Sequence, residues 1–120
     1  MLPTRLARLP ARPLPRGLTL LYARGLRARL TGLAGLGALP PGHALAIPRC
    51  SSVHTFGMRF SLDLLFLAED GSLVRAERHV PPNRVHACRG AACVVEARAG
   101  EGPAFAAALR LAPAGGGAAA

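Results

Sequence analysis

Two apolar runs separated by an Asp-Gly pair are the feature that most restricts how this chain can fold. Residues 62–68 are almost continuously apolar, residues 73–80 form a second run, and Asp70-Gly71 lies between them. Such a pair between two runs favours a tight β-hairpin, with positive φ at both central turn residues. A continuous apolar strand is typical of one buried on both faces. The pattern therefore predicts a hairpin inside a β-rich domain.

Shorter segments on either side predict the rest of the fold. Leu26, Leu30 and Leu33 are spaced by four and three residues, which predicts a helix over 24–33. Apolar runs predict further strands at 18–22 and 92–98, residues 44–47 form a short apolar segment after a turn, and residues 103–111 could form a short helix. In the strand at 92–98, alternation groups Cys93 with Val95 as a small buried apolar residue. We expect a mainly β fold: a single compact β-sandwich or barrel-like domain, one short N-terminal helix and, as an open alternative, a short C-terminal helix.

The two ends of the chain differ in composition from the middle. Residues 1–16 alternate Pro with Leu and Arg, and residues 112–120 contain only Ala, Gly and Pro. Proline at this density opposes helices and strand pairing, and Ala/Gly tracts carry too few large apolar groups to pack. We therefore expect a disordered basic arm over 1–16, a β domain over 17–111 and a disordered tail over 112–120.

The charge is concentrated at the N-terminal end. The net charge is +9, but residues 1–30 contain seven arginines and no acidic residue, whereas residues 31–120 contain eight arginines and six acidic residues. The chain also has few aromatic residues, which leaves no recognisable stacking platform for bases. We expect no specific nucleic-acid recognition. Weak, salt-sensitive association through the basic arm remains an alternative.

Cysteine usage and hydropathy bear on the compartment. Three cysteines, Cys50, Cys88 and Cys93, form an odd set, which argues against a disulfide framework and fits a reducing environment. The sequence has no apolar run long enough for a transmembrane helix. We expect a cytoplasmic protein with no membrane span, present as a monomer.

The densest group of polar residues lies at 50–63, just before the most apolar strand. Asp63 falls inside that strand. Burial of its carboxylate costs several kcal/mol unless the group is paired or hydrogen-bonded. Arg59 or backbone donors of the preceding loop are the expected partners. Two interpretations stay open: Asp63 pins this loop to the sheet, or Asp63, His54 and Arg59 line a pocket.

Four segments carry a resemblance to a known family. They read CSSVHTFGMRFSLDLLFL, ARGLRARLTGL, AEDGSLVRA and HVPPNRVHACRGAACVVEARAG. In order and spacing they resemble a family of small prokaryotic proteins, domain of unknown function 192, over roughly residues 18–102. The resemblance implies a compact β domain with a small helix at its edge, and it implies no activity. Gly57 departs from the family pattern, which usually has an aromatic residue there.

The sequence favours a binding or accessory module, with an unknown small ligand or protein as partner. Its site would lie at the junction of loop and strand, where His54 would hydrogen-bond to a ligand, Arg59 would recognise an anionic group and apolar side chains would form the walls. The alternative is a small enzyme that uses His54 and Asp63 as acid and base. No paired Cys-x-x-Cys or phosphate-binding loop is present, so no metal site and no cofactor are predicted. The candidate ligand-binding residues are His54, Phe56, Met58, Arg59, Asp63 and Glu96.

Overall fold

The computed structural model describes residues 2–25, 28 and 31–112, which form a mainly β domain. The described segments contain two sheets, a short 3-10 turn at Pro15–Gly17 and two complete helices. The elements are α1 (Thr4–Ala7), β1 (Ala11–Leu14), β2 (Leu18–Tyr22), β3 (His43–Pro48), β4 (Ser52–His54), β5 (Leu62–Leu67), β6 (Leu73–Val80), β7 (Val85–Ala87), β8 (Cys93–Arg98) and α2 (Gly102–Leu111). The predicted mainly β class is confirmed.

One six-stranded sheet forms the framework, in the order β1-β2-β3-β8-β5-β6. Strands β2 and β3 are parallel, and the other neighbours are antiparallel. The apolar strand β5 lies between β6 and β8, and all six of its residues are buried. This confirms the interpretation of residues 62–68 as a buried strand.

The β5–β6 hairpin is confirmed, but its turn differs from the expected one. Gly71 has a φ of 89°, whereas the φ of Asp70 is not positive. The N–H of Ala68 donates to Ser72 O (2.8 Å), so three residues form the loop. The Asp70 carboxylate accepts hydrogen bonds from the N–H (2.9 Å) and hydroxyl (2.6 Å) of Ser72. This is the longer hairpin loop in which only the final glycine needs positive φ.

The two faces of this sheet are covered by different elements. On one face, Leu64 and Phe66 pack in a cluster that includes Val53 of the small β4–β7 sheet. On the other face, Leu65 and Leu67 pack against Phe105 and Ala108 of α2, and Cys93 joins that cluster as predicted. We call these the small-sheet face and the helix face. Because side chains alternate along a strand, the four inner strands β2, β3, β8 and β5 contribute to both clusters.

The N-terminal segment is part of the fold, in contrast to the arm expected for residues 1–16. Leu6 is buried, and β1 pairs with β2 at one edge of the sheet. The N–H of Tyr22 donates to Pro10 O (2.9 Å), and alternation from that pair places Pro13 at a non-hydrogen-bonded position. A proline there removes no hydrogen bond, which is why an edge strand accepts it.

The other predicted helices have different outcomes. Gly25, Ala28 and Thr31 are helical, and the N–H of Gly32 donates to Ala28 O (2.9 Å). Leu26 and Leu30 of the predicted apolar face lie outside the described residues, as do residues 113–120 of the predicted tail. The optional C-terminal helix is present as α2. Within the described residues, no helix is long and apolar enough to span a membrane.

Candidate functional site

Asp63 is held by four donors on the helix face of β5. Its side chain is completely buried. The carboxylate accepts hydrogen bonds from the backbone N–H groups of His79 (2.8 Å), Gly100 (2.9 Å) and Gly102 (2.8 Å). Arg78 Nε completes the set at 3.1 Å. Burial acts to raise the pKa of Asp63, but the three N–H donors and Arg78 outweigh it and hold the pKa below its ordinary value.

These contacts make Asp63 a connection between distant parts of the chain. His79 lies at an irregularity of β6, where φ is 54° and the register with β5 shifts. Gly102 is the first residue of α2, so the carboxylate also lies at the positive end of a helix dipole. The prediction that Arg59 or the preceding loop would bind Asp63 is therefore wrong. Asp63 joins β5 to β6 and α2, and both of its carboxylate oxygens accept hydrogen bonds within the protein.

Glu96 lies on the opposite face of the sheet from Asp63. In the β5–β8 register Asp63 faces Ala97, and Glu96 faces Leu64. Ala97 packs on the helix face and Leu64 on the small-sheet face. A difference of one position in a strand reverses the side on which a residue points. Asp63 and Glu96 therefore do not belong to one pocket.

The Glu96 carboxyl is buried without full hydrogen bonding. The residue is 3% exposed, and its Oε1 has no hydrogen-bond partner among the described residues. A Cβ on Gly32 would lie 2.9 Å from that oxygen, so the backbone passes directly over it. Burial raises the pKa of Glu96 to about 7 from an ordinary 4.5, although a hydrogen bond from the backbone of Leu33 acts in the opposite direction.

His54 and Phe56 form an exposed aromatic pair at the end of β4. Their rings are stacked, with centroids 5.5 Å apart and an angle of 25° between the planes. Phe56 is 50% exposed. Between them Thr55 is 1% exposed. The alternation directs the two rings to solvent and Thr55 to the interior.

Thr55 ties the aromatic pair to the segment before β7. Its N–H donates to Arg84 O (2.8 Å), and its hydroxyl donates to Pro81 O (2.8 Å) and accepts from the N–H of Arg84 (2.8 Å). Its carbonyl accepts from the N–H groups of Met58 (3.2 Å) and Asn83 (3.2 Å). The exposed rings are therefore carried by a backbone with fixed hydrogen bonds on both sides.

Met58 and Arg59 take different environments after this pair. Met58 is buried in the cluster of the small-sheet face, where it supports the loop rather than contacting solvent. Arg59 is exposed. Gly57, between Phe56 and Met58, has a φ of 81° and lies 3.5 Å from the Ala34 Cβ, measured from an ideal Cβ position. The positive φ of this turn favours glycine, whereas the 3.5 Å separation from Ala34 is an ordinary van der Waals contact.

Two residues beside the aromatic pair were missed by the sequence interpretation. Val85 is directly opposite His54 in the β4–β7 pairing and is 61% exposed. Arg84 is exposed and is linked to Thr55 through its backbone. We call His54, Phe56 and Val85 the aromatic patch, and Arg84 precedes Val85 in the chain. Only the pairing of β4 with β7 reveals Val85, because the two strands are distant in sequence.

The cysteine and histidine residues form no metal centre in the described segments. No group of three or more His, Cys, Asp or Glu side chains is arranged to hold a metal ion there. Cys88 is buried, and Cys50 and Cys93 are partly buried free thiols. Burial, and then the neighbouring Cys50, raise the pKa of Cys93 to about 11. That thiol is a poor nucleophile at neutral pH.

The comparisons with known proteins agree with this fold. A model of the DUF192 family, described as "Uncharacterized ACR, COG1430", matches residues 13–108. The chain belongs to the DUF192 family. A search of curated proteins gives no match for this family member.

Two solved structures resemble this DUF192 domain. A protein from Sinorhizobium meliloti 1021, described as a candidate transcription regulator, is 23% identical with a TM-score of 0.66, over 79% of this chain and 82% of the other. A protein of unknown function from Novosphingobium aromaticivorans DSM 12444 is 17% identical with a TM-score of 0.61, over 95% and 96% of the chains. At these identities the likeness shows a shared fold.

Proposed function

We propose that this DUF192 protein is a binding module whose aromatic patch contacts an acidic partner segment that carries an apolar side chain. The observation that supports this most is Phe56, half exposed and stacked on His54 on a hydrogen-bonded loop. Large exposed aromatic groups are enriched where proteins bind partners, since each buries much apolar area at little entropic cost. The proposal retains His54, Phe56 and Arg59 from the sequence interpretation.

Rigidity of the loop favours binding by a preformed surface. Thr55 is buried between the two exposed rings and hydrogen-bonds to both Pro81 and Arg84. A surface that is already ordered loses less conformational entropy when a partner binds. The patch therefore has apolar area, fixed geometry and a hydrogen-bonding imidazole in one place.

Charge indicates the class of partner. Residues 51–61 and 81–92, which carry the patch, contain Arg59, Arg84 and Arg89 and no acidic residue. All three arginines are exposed. Guanidinium groups bind carboxylates with paired hydrogen bonds, so an acidic segment with an apolar anchor complements this surface.

The two alternatives from the sequence are less well supported. An enzyme that pairs His54 with Asp63 needs both groups at one site, but Asp63 is buried on the helix face while His54 is exposed in the small sheet. Nucleic-acid association remains a competing class, because the S. meliloti protein is described as a candidate transcription regulator. Duplex DNA is therefore included as a second probe in the test below.

The test is a titration of the ¹⁵N-labelled protein with a defined peptide, acetyl-Asp-Glu-Leu-Phe-Glu-Asp-amide, followed by NMR chemical shifts. We expect saturable shifts at residues 54–59 and 84–86. Val85→Ser should weaken binding roughly tenfold, since it removes apolar contact area. Leu111→Ser is the matched control, because Leu111 is also 61% exposed but lies at the end of α2.

Several outcomes would contradict the proposal. Absence of saturable shifts would exclude this partner class, and an equal loss in Leu111→Ser would show that the contact is not local. A peptide with lysine in place of each acidic residue should not bind. Tighter binding of duplex DNA than of the peptide, with shifts in residues 5–16, would support nucleic-acid association instead.

A further inference from the structure

The two edges of the six-stranded sheet are protected to different degrees. At one edge β1 has four residues and contains Pro13. At the other edge β6 has eight residues, Leu73–Val80, and no proline. Short edge strands and prolines hinder pairing with other chains, whereas an edge strand without them presents unpaired N–H and C=O groups. Strand β6 lacks the proline of β1, although its pairing with β5 is irregular at Val74 and at Arg78–His79, so its regular stretch is Arg75–Glu77.

Exposed apolar side chains accompany this open edge. Leu73 is 47% exposed and Val74 is 45% exposed, at the start of β6. Within the described part of the chain, β6 has one strand neighbour, β5. The remaining edge is free to pair with a further strand, and such pairing would also cover Leu73 and Val74.

We propose that β6 is a dimerisation edge, which pairs antiparallel with β6 of a second copy so that Ala76 faces Ala76 across a two-fold axis. The inference is independent of the proposed binding function. It replaces the monomer expected from the sequence with a closed, two-fold symmetric pair.

The charges on β6 select this register. In a two-fold antiparallel pair the axis passes through one residue and its own copy, so the longest overlaps centre on Ala76 or on Glu77. Centring on Glu77 would place two glutamates opposite each other. Centring on Ala76 places Arg75 opposite Glu77 of the second copy, twice by symmetry. Opposite charges stabilise a cross-strand pair, and like charges destabilise it.

The positions of Arg75 and Glu77 in the sheet are compatible with such pairs. Arg75 faces Phe66 and Glu77 faces Leu64 across the β5–β6 pairing, so both lie on the small-sheet side. Arg75 is exposed, and its Nη1 donates to Ala87 O (3.2 Å). That contact leaves further guanidinium donors for a carboxylate.

The first experiment measures the self-association of the full chain by sedimentation velocity across a wide concentration range. We expect a reversible monomer–dimer equilibrium. Glu77→Arg should raise the dissociation constant roughly tenfold, because it converts two attractive pairs into two repulsive ones. The double variant Arg75→Glu with Glu77→Arg should restore dimerisation, since the swapped charges again face each other.

Variants that fold differently would be identified by NMR spectra of the monomers. Exposed Arg110→Glu, on α2, is the matched control for a change of charge and should leave self-association unchanged. A wild-type chain that stays monomeric at every concentration would overturn the proposal. Failure of the double variant to recover, with Glu77→Arg and the double variant both folded, would overturn the register.

A second experiment tests the register through disulfide formation. Ala76→Cys should form an intermolecular disulfide between its two copies under mild oxidation, because facing residues of an antiparallel pair have closely spaced Cβ atoms. Val74→Cys should not cross-link to its own copy, since the two-fold axis of this register lies two residues away, at Ala76. Mass spectrometry of the linked peptides separates these products from those of the native cysteines. A dominant Val74→Cys cross-link would contradict the Ala76-centred pair.

Discussion

Replacing Glu96 with glutamine should remove a large part of the pH dependence of stability. The carboxyl is 3% exposed with an unpaired Oε1, so its charged form is disfavoured in the folded state. Glutamine retains the shape and an acceptor for the backbone of Leu33, but it cannot ionise. The variant therefore isolates the cost of the buried charge.

The magnitude follows from the displacement of the pKa. Burial raises the pKa of Glu96 from 4.5 to about 7. Above pH 4.5 the unfolded chain releases this proton while the folded chain keeps it, so the free energy of unfolding falls as pH rises. The fall ends once the folded group also ionises, near pH 7. A displacement of this size corresponds to about 3 kcal/mol.

Chemical denaturation of both proteins at about pH 4 and about pH 8 measures this difference. The wild type should lose about 3 kcal/mol more than Glu96→Gln between the two conditions, and at the higher pH the variant should be the more stable protein. Glu69→Gln, which removes an exposed carboxylate, is the control for a change of charge. Parallel pH profiles for wild type and Glu96→Gln would refute the reasoning, as would an NMR titration of the Glu96 carboxyl with a midpoint near 4.5.

Two further predictions concern other buried groups. Asp63→Asn should lower the free energy of unfolding by about 3 kcal/mol, because an amide cannot replace a carboxylate that accepts from three N–H donors and Arg78. Because the pKa of Asp63 is lowered in the folded state, the carboxylate stabilises the fold at pH values above its ordinary pKa, and this stabilisation is lost as the pH falls below that pKa. The stability of Asp63→Asn should therefore fall less steeply in acid than that of the wild type. An unchanged acid profile would contradict this prediction. Cys93, whose thiol pKa is raised to about 11, should react with a maleimide much more slowly than free cysteine at neutral pH, as followed by mass spectrometry of the labelled peptides. Labelling of Cys93 at the rate of free cysteine would contradict its burial.

Local patterns were sufficient for the central elements of the fold. The apolar run at 62–68 and the Asp-Gly pair predicted β5, β6 and their hairpin, since continuous burial and turn chemistry are encoded by neighbouring residues. The arm at 1–16 was predicted wrongly, because local proline content does not show that β1 lies at an edge. At the edge, the Pro13 nitrogen faces away from β2 and needs no hydrogen bond to a neighbouring strand. Only the pairing of β1 with β2 shows this position.

The candidate site was predictable only in part. His54, Phe56 and Arg59 were identified as candidate ligand-binding residues in one segment, and all three are exposed in the structure. Val85 was missed, because its proximity to His54 arises from pairing between β4 and β7. Residues brought together by non-local strand pairing carry no shared signal in one sequence.

Asp63 and Glu96 are the clearest examples of side chains whose position in the sheet the sequence does not determine. The sequence alone predicts that both carboxylates lie within β-strands and that a buried Asp63 needs a partner, since burial of a charge is costly wherever it occurs. Only the tertiary structure decides that Asp63 faces α2 and receives four donors, while Glu96 faces the small sheet and keeps an unpaired oxygen. The physical reason is the two-residue period of a strand: the face on which each side chain lies depends on the register between β5 and β8, and one position separates opposite sides of the sheet.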